Sequence, residues 1–177
     1  DPHYWMDPER AGQMVANLQN GLTQADPEHA PVYQENGQKA ALLLSTWDSD
    51  IRDLLAEEGM PEITGLITFH DGFQYFAAAY DLPLLAAIEE EAGSEASAKE
   101  INEITALVKE KNIPVIFTEV NGSDATANAI ARETGCTVAQ LSMCMDGPDG
   151  ALSNYGDVLR NNVAAIINGF AGEELVR

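Results

Sequence analysis

Residues 65–80 read Gly65-Leu66-Ile67-Thr68-Phe69-His70-Asp71-Gly72-Phe73-Gln74-Tyr75-Phe76-Ala77-Ala78-Ala79-Tyr80. The first five form a short apolar run rich in strand-forming residues and predict a β-strand over 65–69. From Asp71 the apolar spacing becomes helical, with Phe73, Phe76 and Ala77 on the inward side of a helix over 71–80. His70 falls at the junction. The same strand-then-helix unit recurs downstream. A strand over 82–88 precedes a helix capped by Ser97 that runs to 111, with Ile101, Ile104, Leu107 and Val108 on one side. A strand over 114–118 precedes a helix capped by Ser123 or Asp124 that ends at Thr134-Gly135. A strand over 137–141 leads through a Gly/Asp/Pro loop at 146–150 to a last helix over 153–170. Strand–helix alternation with short connections predicts an α/β fold whose four-stranded parallel sheet is covered on both faces.

The region before residue 60 is helical. Asp7-Pro8-Glu9 places an N-cap, a first-turn proline and an acid at a helix start, and Met14, Val15, Leu18 and Leu22 share one face. Asp26-Pro27-Glu28 repeats the signal. A second, longer helix is expected from there to residue 58, with Leu43, Leu44, Trp47, Ile51 and Leu54 at helical spacing and Gly59 as its stop. About thirty residues is long for a globular helix and predicts a spine against which other parts pack.

The chain has 177 residues, 45% of them hydrophobic, enough for a real core. Nine basic residues face 29 acidic ones, a net charge of −20. Such a field repels nucleic acid and anionic membrane surfaces and concentrates cations, although scattered carboxylates by themselves serve solubility. Cys136 and Cys144 are the two cysteines, too few for a disulfide scaffold and without the spacing of structural zinc. No apolar run of about 20 residues is present, and the chain opens on Asp1-Pro2-His3 without a signal segment, which reads as a start inside a longer protein.

Parallel sheets of this kind bind ligands beyond the carboxyl ends of their strands. Those ends carry His70-Asp71, then Glu89-Glu90-Glu91, then Glu119 with Asn121, then Ser142 with Asp146. A histidine among carboxylates is a plausible cation site, because imidazole suits zinc and carboxylates suit harder ions. Each has a plainer reading: His70 as a helix cap, Asp71 as the N-cap of the helix that follows, the glutamates as a solvated loop, His29 as surface, Tyr4 and Trp5 as packing. Motifs of serine hydrolases, zinc proteases, P-loop enzymes and dinucleotide binders are missing.

Two segments carry a resemblance. Asp1-Pro2-His3-Tyr4-Trp5-Met6-Asp7-Pro8 resembles the DPHxWxDP motif of the zinc and manganese substrate-binding proteins of ABC importers. Thr68 to Phe76 resembles that family's second signature, TxHxAFxYF, and the long helix lies between them. The resemblance implies two lobes joined by a rigid helix with the metal in the cleft. Residues 1–25 would then end the first lobe, 26–59 form the linking helix, and 60–177 form a Rossmann-like (βα)4 C-terminal lobe. It makes His3 and His70 metal ligands, with Glu119 a site-facing carboxylate orienting a ligand or a water. A histidine at position 70 resembles the zinc-type members, whereas manganese-type members tend to have glutamate there. The first lobe and its histidine would lie upstream of residue 1. The family's last aspartate is replaced by Ser142, so Asp146, Cys144 or Ser142 itself, or three histidines with water, remain open for the fourth position.

The resemblance thus implies an extracytoplasmic protein, periplasmic or lipid-anchored, that delivers Zn2+ (alternatively Mn2+) to an ABC permease and is not an enzyme. The chain on its own is expected to bind zinc weakly or not at all, and to dimerise or exchange its N-terminal helix through the uncovered face of residues 1–58. The rival readings are a metal-dependent hydrolase at the same rim, with Glu119 as general base, and a metal-free interaction module whose site has decayed at Ser142. If His3 and His70 share one tetrahedral ion, their nitrogens should stand within about 4 Å of each other.

Overall fold

A computed structural model describes residues 1–89, 96–120, 124–145 and 154–176. After a 3-10 turn at Tyr4–Met6 come helix α1 (Pro8–Ala25), a second 3-10 turn (Pro27–His29) and the long helix α2 (Ala30–Leu55). The α/β unit follows as β1 (Leu66–His70), α3 (Gln74–Ala79), β2 (Leu84–Glu89), α4 (Ala98–Lys111), β3 (Val115–Glu119), α5 (Ala125–Thr134), β4 (Thr137–Leu141) and α6 (Tyr155–Ala171). The four strands form one sheet in the order β2-β1-β3-β4, and every pairing is parallel, as the alternation predicts.

The period-2 pattern of the strands divides the core between the two faces. Leu66, Val115, Phe117 and Leu141 join Phe73 and Phe76 of the α3 region, Ile51 of α2 and Leu159, Val163 and Ile166 of α6 on one face. Ile67, Phe69, Ile88 and Ile116 join Ile104 and Val108 of α4 and Ile130 of α5 on the other. Phe73, Phe76 and Phe117 are essentially inaccessible, and burial of each contributes about 1.5–3 kcal/mol.

Local chemistry sets the helix ends. Asp7 caps α1 by accepting the Glu9 N–H. Ser97 and Glu100 form a reciprocal capping box on α4, worth about 1 kcal/mol. Asn154 caps α6 by accepting the Asp157 N–H; Ser153, where that helix was expected to begin, lies outside the described residues. The Ser123 alternative for the α5 cap lies outside them too, and Asp124 holds the N-cap position without a side-chain capping bond, its carboxylate accepting from Gln140 instead.

Two helices are shorter than the sequence pattern predicts. The spine begins at Ala30, because Pro31 has no N–H to donate to the Pro27 carbonyl four residues back; the first turn is therefore 3-10. Helix α3 starts at Gln74, and its N-cap position is Phe73. Asp71 is not the cap. Its carboxylate accepts both contacts from the Gln74 side-chain amide, at 2.8 and 3.0 Å. Helices α1 and α2 form a hairpin that leaves Leu18, Leu43 and Met14 exposed along an apolar groove of about 510 Å3 reaching Trp5, Trp47 and Tyr155.

Candidate metal centre

In this sheet β1 leads outward to β2 while its other neighbour, β3, leads outward to β4. Connections that diverge from adjacent strands open a crevice at their carboxyl ends. His70 is the last residue of β1 and Glu119 the last of β3, so the sequence places an imidazole and a carboxylate at that crevice. The Thr68 hydroxyl, itself buried, donates to the His70 carbonyl at 3.0 Å and fixes the strand end.

The N-terminal loop brings the second imidazole. Met6 is wholly buried in the core, and its N–H bonds the His3 carbonyl at 3.1 Å, anchoring the turn. The Asp1 carboxylate accepts from the His3 backbone N–H at 2.8 Å and from its Nδ1 at 2.7 Å. With Nδ1–H engaged, Nε2 presents its lone pair to the crevice, in the arrangement by which carboxylates orient metal-binding histidines. His3 Nε2 stands 3.4 Å from His70 Nε2, inside the 4 Å expected from the sequence. Two nitrogens bonded to one tetrahedral zinc at usual lengths are separated by about 3.3–3.4 Å.

Both imidazoles are buried. Burial is the main cause that lowers the His3 pKa below its ordinary value, ahead of the opposing charge of Glu119 and, further down, of Asp71. The neutral ligand form is thereby favoured. His70 Nδ1 and Glu119 Oε1 are buried without a hydrogen-bond partner. Buried polar atoms normally have one. Glu119 Oε1 can take a donating or cationic neighbour in the crevice, whereas His70 Nδ1, across the ring from Nε2, carries the proton when Nε2 offers its lone pair and calls for an acceptor.

The remaining sequence candidates are placed differently. Ser142 follows β4 and is buried; its N–H bonds Asn162 Oδ1 at 2.9 Å, and its carbonyl accepts from Asn162 Nδ2 at 2.7 Å. Its hydroxyl accepts the Cys144 N–H at 3.2 Å, closing a turn in which Cys144 adopts a left-handed φ of 59°. Burial is the chief cause that raises the Tyr155 pKa, with the neighbouring Cys144 a further one. Among the described residues no three His, Cys, Asp or Glu side chains form a group able to hold a metal. Asp146, Asn121, Glu90 and Glu91 lie outside those residues, as does the side chain of Glu89. His29 is exposed and bonded to Asp26.

Four supports were not singled out in the sequence. The Trp5 indole N–H donates to the Met143 carbonyl at 2.9 Å, and the Tyr155 hydroxyl donates to the Trp5 carbonyl at 2.6 Å. Together they tie the His3 loop to the β4 loop and to α6. Asn162 interrupts the apolar face of α6 between Leu159 and Val163, a signal of a buried polar contact. Gly72 stands where the resembled motif carries alanine. A Cβ there would come within 3.2 Å of the Met143 sulfur, the His70 ring and the His3 ring at once.

Comparison with known proteins agrees with this geometry. Residues 1–169 match the family model described as zinc-uptake complex component A, periplasmic (ZnuA). The chain is 27% identical over 173 residues to the iron-binding protein YfeA of Yersinia pestis, covering 96% of this chain and 55% of that protein. It is 27% identical over 169 residues to the zinc-binding lipoprotein AdcA of Streptococcus pneumoniae, covering 94% and 33%. The laminin-binding protein Lmb of Streptococcus agalactiae, described as having adhesin and metal-transporting activity, superposes with a TM-score of 0.82 at 28% identity, over 96% of this chain and 65% of that one. The chain thus spans about a third to two thirds of the length of these relatives. With the two histidines of its signature stretches meeting at one crevice and nearly its whole length matched, the chain belongs to the zinc-uptake component A family of metal-binding proteins.

Proposed function

We propose that the full-length protein containing this chain captures a transition-metal ion, Zn2+ in the first place and Mn2+ as the alternative, outside the cytoplasmic membrane. It presents the ion to the permease of an ABC importer and is a carrier, with no chemical turnover. His3 and His70 are ligands in this reading, and Glu119 orients a ligand or a bound water. The single observation that carries it is the 3.4 Å separation of the two Nε2 atoms, which suits one tetrahedral ion. Zinc is favoured over manganese because both donors are imidazole nitrogens.

Residues 1–25 are read as the end of a first lobe and 60–177 as the second lobe. The spine between them is rigid: α2, at 26 residues, is about 39 Å long. Further donors come from outside the described residues, from Asp146 or from a preceding lobe. The reading is tested by zinc titration of the full-length protein and its His70→Ala variant. The variant should lose most of the affinity, by a factor of roughly 100 or more, since even outer partners of metal ligands are worth 10–100-fold. Unchanged affinity would remove the proposal. Hydrolysis of ester or phosphate substrates by the zinc-loaded protein would instead favour an enzyme.

A further inference from the structure

The loop after β4 brings a sulfur atom to the histidine pair. Met143 Sδ lies 2.3 Å from the point where a Cβ on Gly72 would stand; His70 Cδ2 lies 2.8 Å and His3 Nδ1 3.2 Å from the same point. The thioether and both imidazoles therefore meet around one glycine, and the missing Cβ is what lets them. The loop backbone holds Met143 there. Its carbonyl accepts the Trp5 indole N–H, and the residues on either side are set by the Asn162–Ser142 bonds and the left-handed Cys144. Met143 is buried while Met145, two residues on, is 66% exposed.

We propose that this site also takes copper(I), with the Met143 thioether as a donor beside the imidazoles of His3 and His70. The inference rests on the reading of those histidines as ligands. Zinc takes thiolate, imidazole and carboxylate donors, whereas a neutral thioether suits the softer monovalent copper ion. Two of the nearby oxygen groups are occupied: the Asp71 carboxylate holds Gln74, and the Ser142 hydroxyl accepts its own turn's N–H; Glu119 is the carboxylate left at the crevice. The thioether adds to the two imidazoles a contact for copper that zinc does not use.

The test is an anaerobic titration of the full-length protein against a copper(I) chelator, with a parallel zinc titration, for the native protein and for Met143→Leu, Cys144→Ser and His70→Ala. Leucine conserves volume in the core and removes the sulfur. Met143→Leu should weaken copper(I) binding by roughly tenfold or more, a larger factor than it takes from zinc binding. X-ray absorption of the copper-loaded native protein should show sulfur bonded to copper, and Cys144→Ser should keep that signal. This measurement needs no Met143 variant to fold. Equal copper(I) affinity in native and Met143→Leu proteins, a copper environment of nitrogen and oxygen alone, or loss of the sulfur signal in Cys144→Ser would each overturn the inference. Should zinc binding depend on His70 while copper ignores Met143, only this inference falls. Should His70→Ala leave both metals bound as before, the carrier reading falls with it.

Discussion

Asn162 offers a perturbation whose size can be worked from the structure. The residue is 2% exposed and Ser142 4%, so water cannot replace what either loses. Asn162→Leu keeps the branched shape, with methyl groups in place of the amide oxygen and nitrogen, but removes the acceptor of the Ser142 N–H and the donor to the Ser142 carbonyl, bonds of 2.9 and 2.7 Å. Two buried backbone groups lose their Asn162 partner, at about 1–3 kcal/mol each. A total near 4 kcal/mol lowers the melting temperature of a chain this size by roughly 8–16 °C. The assay is thermal unfolding by circular dichroism, together with urea titration, in which the midpoint should fall while the slope stays constant. Asn161→Leu, at the exposed neighbouring position, is the control and should change stability by no more than about 0.5 kcal/mol. A melting shift under about 2 °C for Asn162→Leu, or equal shifts for the two variants, would refute the argument that α6 holds the β4 terminus through this side chain.

Other expectations concern protonation, helix approach and association. Because burial lowers the His3 pKa, the folded state favours neutral imidazole and binds fewer protons than the unfolded chain. Its contribution to stability is present above the unfolded value of about 6.5 and is lost as pH falls below it. Metal affinity falls over the same range. Melting curves from pH 8 to 5 should show this loss in the native protein and less of it in His3→Gln; identical profiles would contradict it. At Gly156 a Cβ would stand 2.3–2.4 Å from three atoms of the Trp47 indole. Gly156→Ala must therefore push α6 from α2 and should cost about 1–3 kcal/mol, read by urea unfolding; unchanged stability would mean that the helices have slack. Residues 1–177 alone should self-associate through the apolar groove between α1 and α2. Light scattering across a hundredfold concentration range checks this, and a monomer throughout would refute it.

The sheet and most helices were legible because their signals are local. The 65–69 run, the Ser97 cap and the 137–141 strand are each decided by a few adjacent residues, and β4 and the start of α4 fall where those signals put them. The two histidines were legible for a related reason, since each sits in a short stretch resembling a known motif. What escaped the sequence is held by partners far apart along the chain. Trp5 meets Met143 and Tyr155 at separations of 138 and 150 residues, and no periodicity reports such pairs. The Asp71 cap failed because a carboxylate preceding a helix has two kinds of donor within reach, the backbone N–H groups and the Gln74 side-chain amide, and spacing does not choose between them.

Ser142 is the residue on which the decayed-site reading rests, and the structure gives it a different role. Its hydroxyl and both backbone groups shape the turn that presents Met143, so its presence has a structural reason independent of lost metal binding. A site drifting toward a plain packing module would be expected to drop its most expensive features first, because a buried polar atom without a partner costs about 1–3 kcal/mol. Here such an atom persists at the crevice, on Glu119 Oε1, beside a His3 ring oriented by Asp1. Retaining it is understandable if a cation completes the site. Metal analysis of the full-length protein purified without chelators decides the matter: about one equivalent of metal, lost on His70→Ala, supports a working site, and metal-free protein that also refuses added zinc supports decay.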